Sequence, residues 1–128
     1  MTMADQDLDK NVQVVHPTLN KQCLQYPSHS LRERDDAYIW VLAALDKRHR
    51  VIIDLHALQF ILQRRFYEHF PTVAWRAISY PTSKNSLTKL CVRHTALTEP
   101  KIREALAGLQ PRASAYKKLV QKCLQQSE

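Results

Sequence analysis

The chain has 128 residues, one glycine, three cysteines and a formal net charge of +7. This length suits one domain, and its longest apolar run, residues 37–45, is too short to span a bilayer. A single glycine argues against tight β-hairpins and against glycine-rich phosphate loops. The composition therefore predicts an all-α fold, a mainly helical single domain of five to six helices with little or no strand.

Residues 1–29 are polar, contain two prolines and show no helical period. They predict a flexible N-terminal tail in front of a helical basic domain of residues 30–128. Acidic residues near the start are not typical of a signal peptide. An odd number of cysteines without paired spacing indicates reduced thiols. We therefore expect a cytoplasmic protein with no membrane contact.

The first predicted helix runs from Ser30 toward Arg48. Ser30 and Glu33 have the spacing of a capping box, in which each side chain satisfies a free backbone N–H group of the other residue. The run Tyr38–Leu45 is apolar nearly all round, as in a helix that is buried or covers a partner. One alternative is therefore a protein-interaction adaptor, or a homodimer, that buries this helix against a second chain.

The clearest helical pattern is Ile53–Pro71, around which we expect the core to form. Asp54 is placed to cap its first turn, and Pro71 to end it. Apolar residues recur every three or four positions, which predicts one buried stripe. The stripe consists of Leu55, Leu58, Leu62, Phe66 and Phe70.

Shorter helices are predicted after this one. Residues 72–78 would form a brief helix that begins after Pro71. Ser83 is placed to cap a helix that ends near His94, and Thr98 to cap the next, which Gly108 and Pro111 would end. A last helix is expected over residues 113–125, with an apolar stripe on one side and lysines on the other.

Residues 71–122 hold ten Lys and Arg against two Glu. Such an excess attracts polyanions, and phosphate backbones are the commonest of these. We therefore predict a non-catalytic nucleic-acid-binding protein. Its phosphate contacts would be Lys84, Lys89, Arg93, Arg103, Lys117 and Lys118. Arg103 could equally pair with Glu99, four residues earlier on the same helix.

A helix-turn-helix that binds DNA is a second alternative. The predicted helices 72–78 and 83–94, with a turn between them, have suitable lengths. In that arrangement Asn85, Thr88, Lys89 and Arg93 would reach base edges or phosphates.

The order of features over about residues 66–119 resembles the FinO/ProQ family of RNA chaperones. The resemblance rests on Phe70-Pro71, then Pro81, then the segment Leu97–Leu106 (LTEPKIREAL), then Tyr116. The match departs from the family after Pro81, where a polar run replaces an apolar one. The resemblance implies RNA as the favoured ligand, Arg103 as the functional arginine, and Lys84 and Tyr116 as nearby contacts.

No pattern of catalytic residues was found, so we do not expect an enzyme. Metal sites need converging Cys and His residues, and the one candidate spacing is Cys91 with His94. Because Cys91 lies on an apolar helix face, a buried thiol is the better interpretation. We therefore expect no metal and no cofactor.

Overall fold

The computed structural model describes residues 30–69 and 71–127. Its centre is one four-stranded antiparallel sheet, with the strands side by side in chain order. The strands are β1 (Val41–Asp46), β2 (His49–Ile53), β3 (Phe60–His69) and β4 (Thr72–Ser79). The helices are α1 (Lys84–His94), α2 (Glu99–Ala105) and α3 (Lys117–Ser127), with a 3-10 turn (Ala113–Tyr116) before α3. The prediction of an all-α fold is therefore wrong.

The predicted organising helix is a loop followed by strand β3. Leu62 is buried and Phe66 is half-buried. Both lie on the same face of the strand, because residues four apart share a face in a strand as well as in a helix. Leu58 lies in the preceding loop and is 64% exposed. Phe70 lies outside the described residues. The four-residue spacing of these apolar residues is present, but it is compatible with a helix and with a strand and so did not distinguish between them.

Glycine is not needed at two of the turns between strands, because aspartate side chains stabilise them. Asp46 Oδ1 accepts a hydrogen bond from the Arg48 backbone N–H at 2.8 Å between β1 and β2. Asp54 Oδ1 accepts from the N–H groups of Leu58 and Gln59 at 2.7 and 2.9 Å. Ala57 supplies the left-handed residue of this second loop, with φ of 53°. The single glycine was thus a poor argument against strands.

The predicted helix from Ser30 to Arg48 is also absent. Ser30 Oγ donates to Asp35 Oδ2 at 2.6 Å and accepts from the Arg32 N–H at 2.9 Å, so it stabilises a turn. Residues 30–40 cross one face of the sheet and reach β4, where the Trp75 N–H donates to the Arg34 carbonyl at 2.9 Å. Most of the Tyr38–Leu45 run is buried inside the chain itself. The surface that an adaptor would use there is therefore not exposed.

The helices cover the opposite face of the sheet, where Phe60 meets Tyr116 with ring centroids 6.1 Å apart. Leu62 on β3 lies in the same core and has no exposed surface. Burial of this apolar face supplies the main driving force for folding. The fully buried helix residues in this core include Leu87, Cys91, Ile102, Ala105, Val120 and Cys123.

Three helices follow Pro81 as predicted, but α2 already ends at Ala105, and residues 113–116 form a 3-10 turn in place of the first turn of the last predicted helix. Ser83 caps α1, since its side chain accepts from the Ser86 N–H at 3.2 Å. Thr98 lies at the N-cap position of α2, but its side chain makes no capping hydrogen bond, so that part of the prediction is wrong. Pro100 lies in the first turn of α2. Residues 72–78, in contrast, belong to β4, so the predicted helix-turn-helix has no first helix. The predicted tail, residues 1–29, lies outside the described part of the chain.

The cysteines differ from one another. Cys91 is a free thiol, and burial raises its pKa to about 12. Cys123 is disulfide-bonded, so the expectation of reduced thiols is wrong for this residue. Within residues 30–69 and 71–127, no helix has both the length and the apolar character that crossing a membrane requires.

Candidate nucleic-acid interface

Basic residues gather at the first turns of α1, where two open clefts adjoin. The larger has a volume of about 500 Å³, and the smaller about 240 Å³. We call them together the helical cleft. Its lining residues are Ser83, Lys84, Asn85, Thr88, Lys89, Val92, Glu99, Arg103, Pro111 and Arg112. Four of the eight predicted site residues therefore lie together: Lys84, Asn85, Lys89 and Arg103.

The cleft forms because two segments far apart in sequence pair beside α1. Ser83 and Arg112 form an isolated antiparallel bridge. The Lys84 N–H donates to the Pro111 carbonyl at 2.8 Å, and the Ala113 N–H donates to the Thr82 carbonyl at 3.0 Å. This pairing holds the Arg112 backbone next to the start of α1. Arg112 was missed as a site residue because only the tertiary pairing brings it there.

Two backbone carbonyl groups hold the Lys84 side chain in the cleft. Its Nζ donates to the carbonyl oxygens of Ala107 and Leu109 at 3.3 and 3.4 Å. Both acceptors are neutral, so they orient the ammonium group but do not neutralise it. The N-terminus of α1 adds a partial positive charge to the same region. An anion in the cleft would therefore meet both a fixed ammonium group and a helix dipole.

Arg103 forms an ion pair with Glu99, which is one of the two roles that the sequence left open for it. Its Nη2 lies 2.7 Å from Glu99 Oε2, and its Nε donates to the same oxygen at 2.8 Å. Both side chains are more than half exposed. Exposed pairs of this kind contribute only about 0–1 kcal/mol. Arg103 can therefore exchange Glu99 for a phosphate at small cost.

Tyr116, which was predicted as a ligand contact, is a core residue in this structure. It is buried, its ring lies edge-on to Phe60, and its hydroxyl accepts from the Gln110 N–H at 2.9 Å. Burial raises the pKa of this hydroxyl above its ordinary value. In this structure Tyr116 holds the turn before α3 against the sheet.

The remaining predicted residues lie outside the cleft. Asn85, Lys89 and Arg93 follow one another at four-residue intervals along α1, so Arg93 continues the exposed row past the cleft. Lys117 and Lys118 are exposed at the start of α3. Neither lines the helical cleft, and their role as phosphate contacts stays a prediction.

A second basic surface lies on β3 and β4 and was not predicted as a site. An open cleft of about 400 Å³ is lined there by Arg64, Arg65, Phe66, Arg76, Ala77 and Ile78. We call it the sheet cleft. Its signal in the sequence was the run Arg64–Tyr67, in which two arginines precede two aromatic residues. The helical interpretation of this segment hid that signal.

In the described part of the chain, no three His, Cys, Asp or Glu residues are grouped so that they could bind a metal ion. Comparison of the chain with protein-family models, curated proteins and solved structures gave no match. The resemblance to the FinO/ProQ family therefore stays a prediction. The segment before Pro71, where that family has a helix, is strand β3 in this protein.

Proposed function

We propose that this protein is a non-catalytic nucleic-acid-binding protein that prefers RNA to DNA. The observation that carries the proposal is the composition of the helical cleft, where four cationic side chains face one carboxylate. Lys84 is fixed there by neutral carbonyls, and Lys89 and Arg112 make no ion pair within the described residues. Cations held close together repel one another, and a polyanion relieves that repulsion.

The neutral polar residues of the cleft also suit a nucleic acid. Asn85 is exposed on the same helix face as Lys89, and Thr88 lies one turn from Lys84. The Thr88 hydroxyl donates to the Lys84 carbonyl at 2.9 Å, so it supports the helix turn beside the cleft. The Asn85 amide offers both a donor and an acceptor to a base or a ribose hydroxyl.

Two considerations favour RNA. The sheet cleft places an aromatic ring beside arginines, and unpaired bases in RNA are commonly bound by such combinations. The sequence resemblance to RNA chaperones points the same way. A protein-interaction adaptor built on residues 38–45 finds less support, because most of those side chains are already buried within the chain.

Fluorescence anisotropy with three labelled ligands tests the proposal. A hairpin RNA, a single-stranded RNA and a duplex DNA of equal phosphate number are titrated from 50 to 200 mM salt. With about six phosphate contacts, log Kd should change with log salt with a slope of magnitude roughly 4 to 5. We expect the hairpin or single-stranded RNA to bind more tightly than the duplex DNA.

The variant K89Q/R112Q should reduce that slope by about 1–2. The matched control is K101Q/K122Q, which removes the same charge from exposed positions on α2 and α3 outside both clefts. The control should keep most of the slope. If no ligand binds at the lowest salt concentration, the proposal is wrong and the basic surface serves only to keep the chain hydrated.

A further inference from the structure

Three cationic or ionisable side chains form a row across the sheet. His49 on β2 pairs with Arg64 on β3, and Arg64 pairs with Arg76 on β4. Directly paired residues point to the same face of a sheet. The row lies on the face of the sheet that the helices cover. Two residues before Arg64 on β3, Leu62 is buried on that same face. Arg64 and Arg76 are exposed, so the helices do not cover this part of the face.

The Arg64–Arg76 pair is unfavourable as it stands. Like charges directly opposite each other in an antiparallel pair destabilise a sheet. Neither arginine makes an ion pair within the described residues. Asp46, which pairs with His49 at the end of β1, is engaged by that histidine, whose Nδ1 lies 3.0 Å from Asp46 Oδ1. An anion between the two guanidinium groups would remove the repulsion.

An aromatic ring completes this surface. Phe66 lies two residues after Arg64 on β3 and therefore on the same face. The Arg76 guanidinium carbon lies 4.4 Å from the centroid of the Phe66 ring. A cation over an aromatic ring at an exposed site is attracted to it by about 0.5–1 kcal/mol, so this contact favours one position of the Arg76 side chain. The sheet cleft therefore combines an arginine in contact with a half-buried ring and a second arginine opposite the first.

We propose that the sheet cleft is a second nucleic-acid site that binds an unpaired segment of the RNA. Arg64 and Arg76 bind phosphate groups of the strand, and Phe66 with Arg76 contacts a base. This inference rests on the proposed function and adds to it a site, a strand type and named contacts. Sequence-tolerant binding of single strands commonly uses this combination of a basic groove and a stacking side chain.

The test uses the full chain and a labelled single-stranded RNA, with four variants. R64Q/R76Q removes both charges, and R64K/R76K keeps them but removes the planar groups. F66L removes the ring while it keeps an apolar side chain of similar size. K101Q/K122Q is the charge-matched control outside both clefts. Circular dichroism and thermal melting of each variant, and of R64Q alone, establish that the proteins are folded.

R64Q/R76Q should flatten the salt slope by about 1–1.5, as expected for two phosphate contacts with a single strand. R64K/R76K should keep the slope but bind more weakly. F66L should weaken binding of single-stranded RNA at least about fivefold with an unchanged slope. The control should differ little from the parent protein.

The outcomes separate this inference from the proposed function. If the parent binds RNA, K89Q/R112Q weakens binding and R64Q/R76Q behaves like the control, the helical cleft binds RNA and the sheet cleft does not. The inference is then wrong while the proposed function stands. If the parent binds no nucleic acid at all, both fall together. Weakening by R64Q/R76Q and F66L, but not by the control, supports the second site.

Discussion

The guanidinium carbon of Arg50 lies 4.3 Å from the centroid of the Trp75 ring, in the interior of the protein. Arg50 is 4% exposed and has no carboxylate partner within the described residues. Its Nε donates to Gln63 Oε1, its Nη1 to the Asp36 carbonyl, and its Nη2 to the carbonyls of residues 33 and 35. These bonds attach residues 30–40 to the sheet. Burial lowers the pKa of Arg50 to about 10.

Arg50→Ala should therefore destabilise the protein by about 3 kcal/mol or more. The substitution leaves the Asp36 carbonyl and Gln63 Oε1 without a donor, and each unsatisfied buried group costs about 1–3 kcal/mol. The carbonyls of residues 33 and 35 keep the donors of Gln63 and Tyr38, so the rest of the loss comes from the missing contact with the Trp75 ring. Urea unfolding measures the effect. Arg48→Ala is the matched control, because the Arg48 side chain is exposed, and it should stay within about 0.5 kcal/mol of the parent. Equal effects from both substitutions would contradict this role for Arg50.

Leu62 and Leu58 should respond differently to the same substitution. Leu62→Ala should cost about 2–5 kcal/mol, because Leu62 has no exposed surface. Leu58→Ala should change the free energy of unfolding by no more than about 0.5 kcal/mol, since Leu58 is 64% exposed. A helix over residues 53–71 would bury both leucines in one stripe. Similar losses in a pair of urea titrations would therefore favour the helix over strand β3.

Glu99→Gln should tighten RNA binding about two- to threefold at low salt. The substitution removes the carboxylate that pairs with Arg103 and so leaves one more free cation at the helical cleft. Stability should change by less than about 1 kcal/mol, because both side chains are exposed. Glu104→Gln provides the charge-matched control, since Glu104 lines neither cleft. If both substitutions tighten binding equally, overall charge rather than the freed Arg103 is responsible.

Arg64→Glu should stabilise the sheet by about 0.2–1 kcal/mol. The new carboxylate would face Arg76 directly across β3 and β4, so a repulsive pair becomes an attractive one. The cation over the Phe66 ring belongs to Arg76 and is kept. Arg64→Gln should fall between the parent and Arg64→Glu in thermal melting, and 1 M salt should reduce the differences. A lower melting temperature for Arg64→Glu at low salt would show that the pair is not repulsive.

Stability should fall as the pH rises above about 9. Burial raises the pKa of the Cys91 thiol from 9.0 to about 12 and raises that of the Tyr38 hydroxyl. The unfolded chain therefore loses these protons at lower pH than the folded chain, and unfolding is favoured as pH rises through that range. Each such group contributes up to about 1.4 kcal/mol per pH unit.

Arg50 has the opposite effect on stability, because burial lowers its pKa from 12.5 to about 10. Above pH 10 the folded chain loses this proton before the unfolded chain does, so this group favours folding as the pH rises further. Melting temperatures at pH 7, 8, 9 and 10 measure the net effect. Cys91→Ala should make the fall between pH 9 and 10 shallower, whatever it does to stability at pH 7. An identical slope in the variant would show that Cys91 does not contribute.

The helices after Pro81 were readable from the sequence because their signals are local. Ser83 lies directly before α1, Thr98 directly before α2, and Gly108 with Pro111 follows α2. A cap or a helix breaker acts through neighbouring backbone groups, so it can be recognised in the sequence without knowledge of the rest of the fold. The charge excess of residues 71–122 was likewise present in the sequence alone, as was the alternative pairing of Arg103 with Glu99.

The sheet and its surfaces were decided by the tertiary structure. Leu62 and Phe66 fit a helix stripe and a strand face equally well, and only pairing with β2 and β4 selects the strand. That pairing aligns His49, Arg64 and Arg76, which are distant in sequence. A separate bridge between Ser83 and Arg112 brings Arg112 beside α1. The net charge of a segment can be counted along the chain. The distance between two charges depends on strand register and loop pairing, and these come from contacts between residues far apart in the sequence.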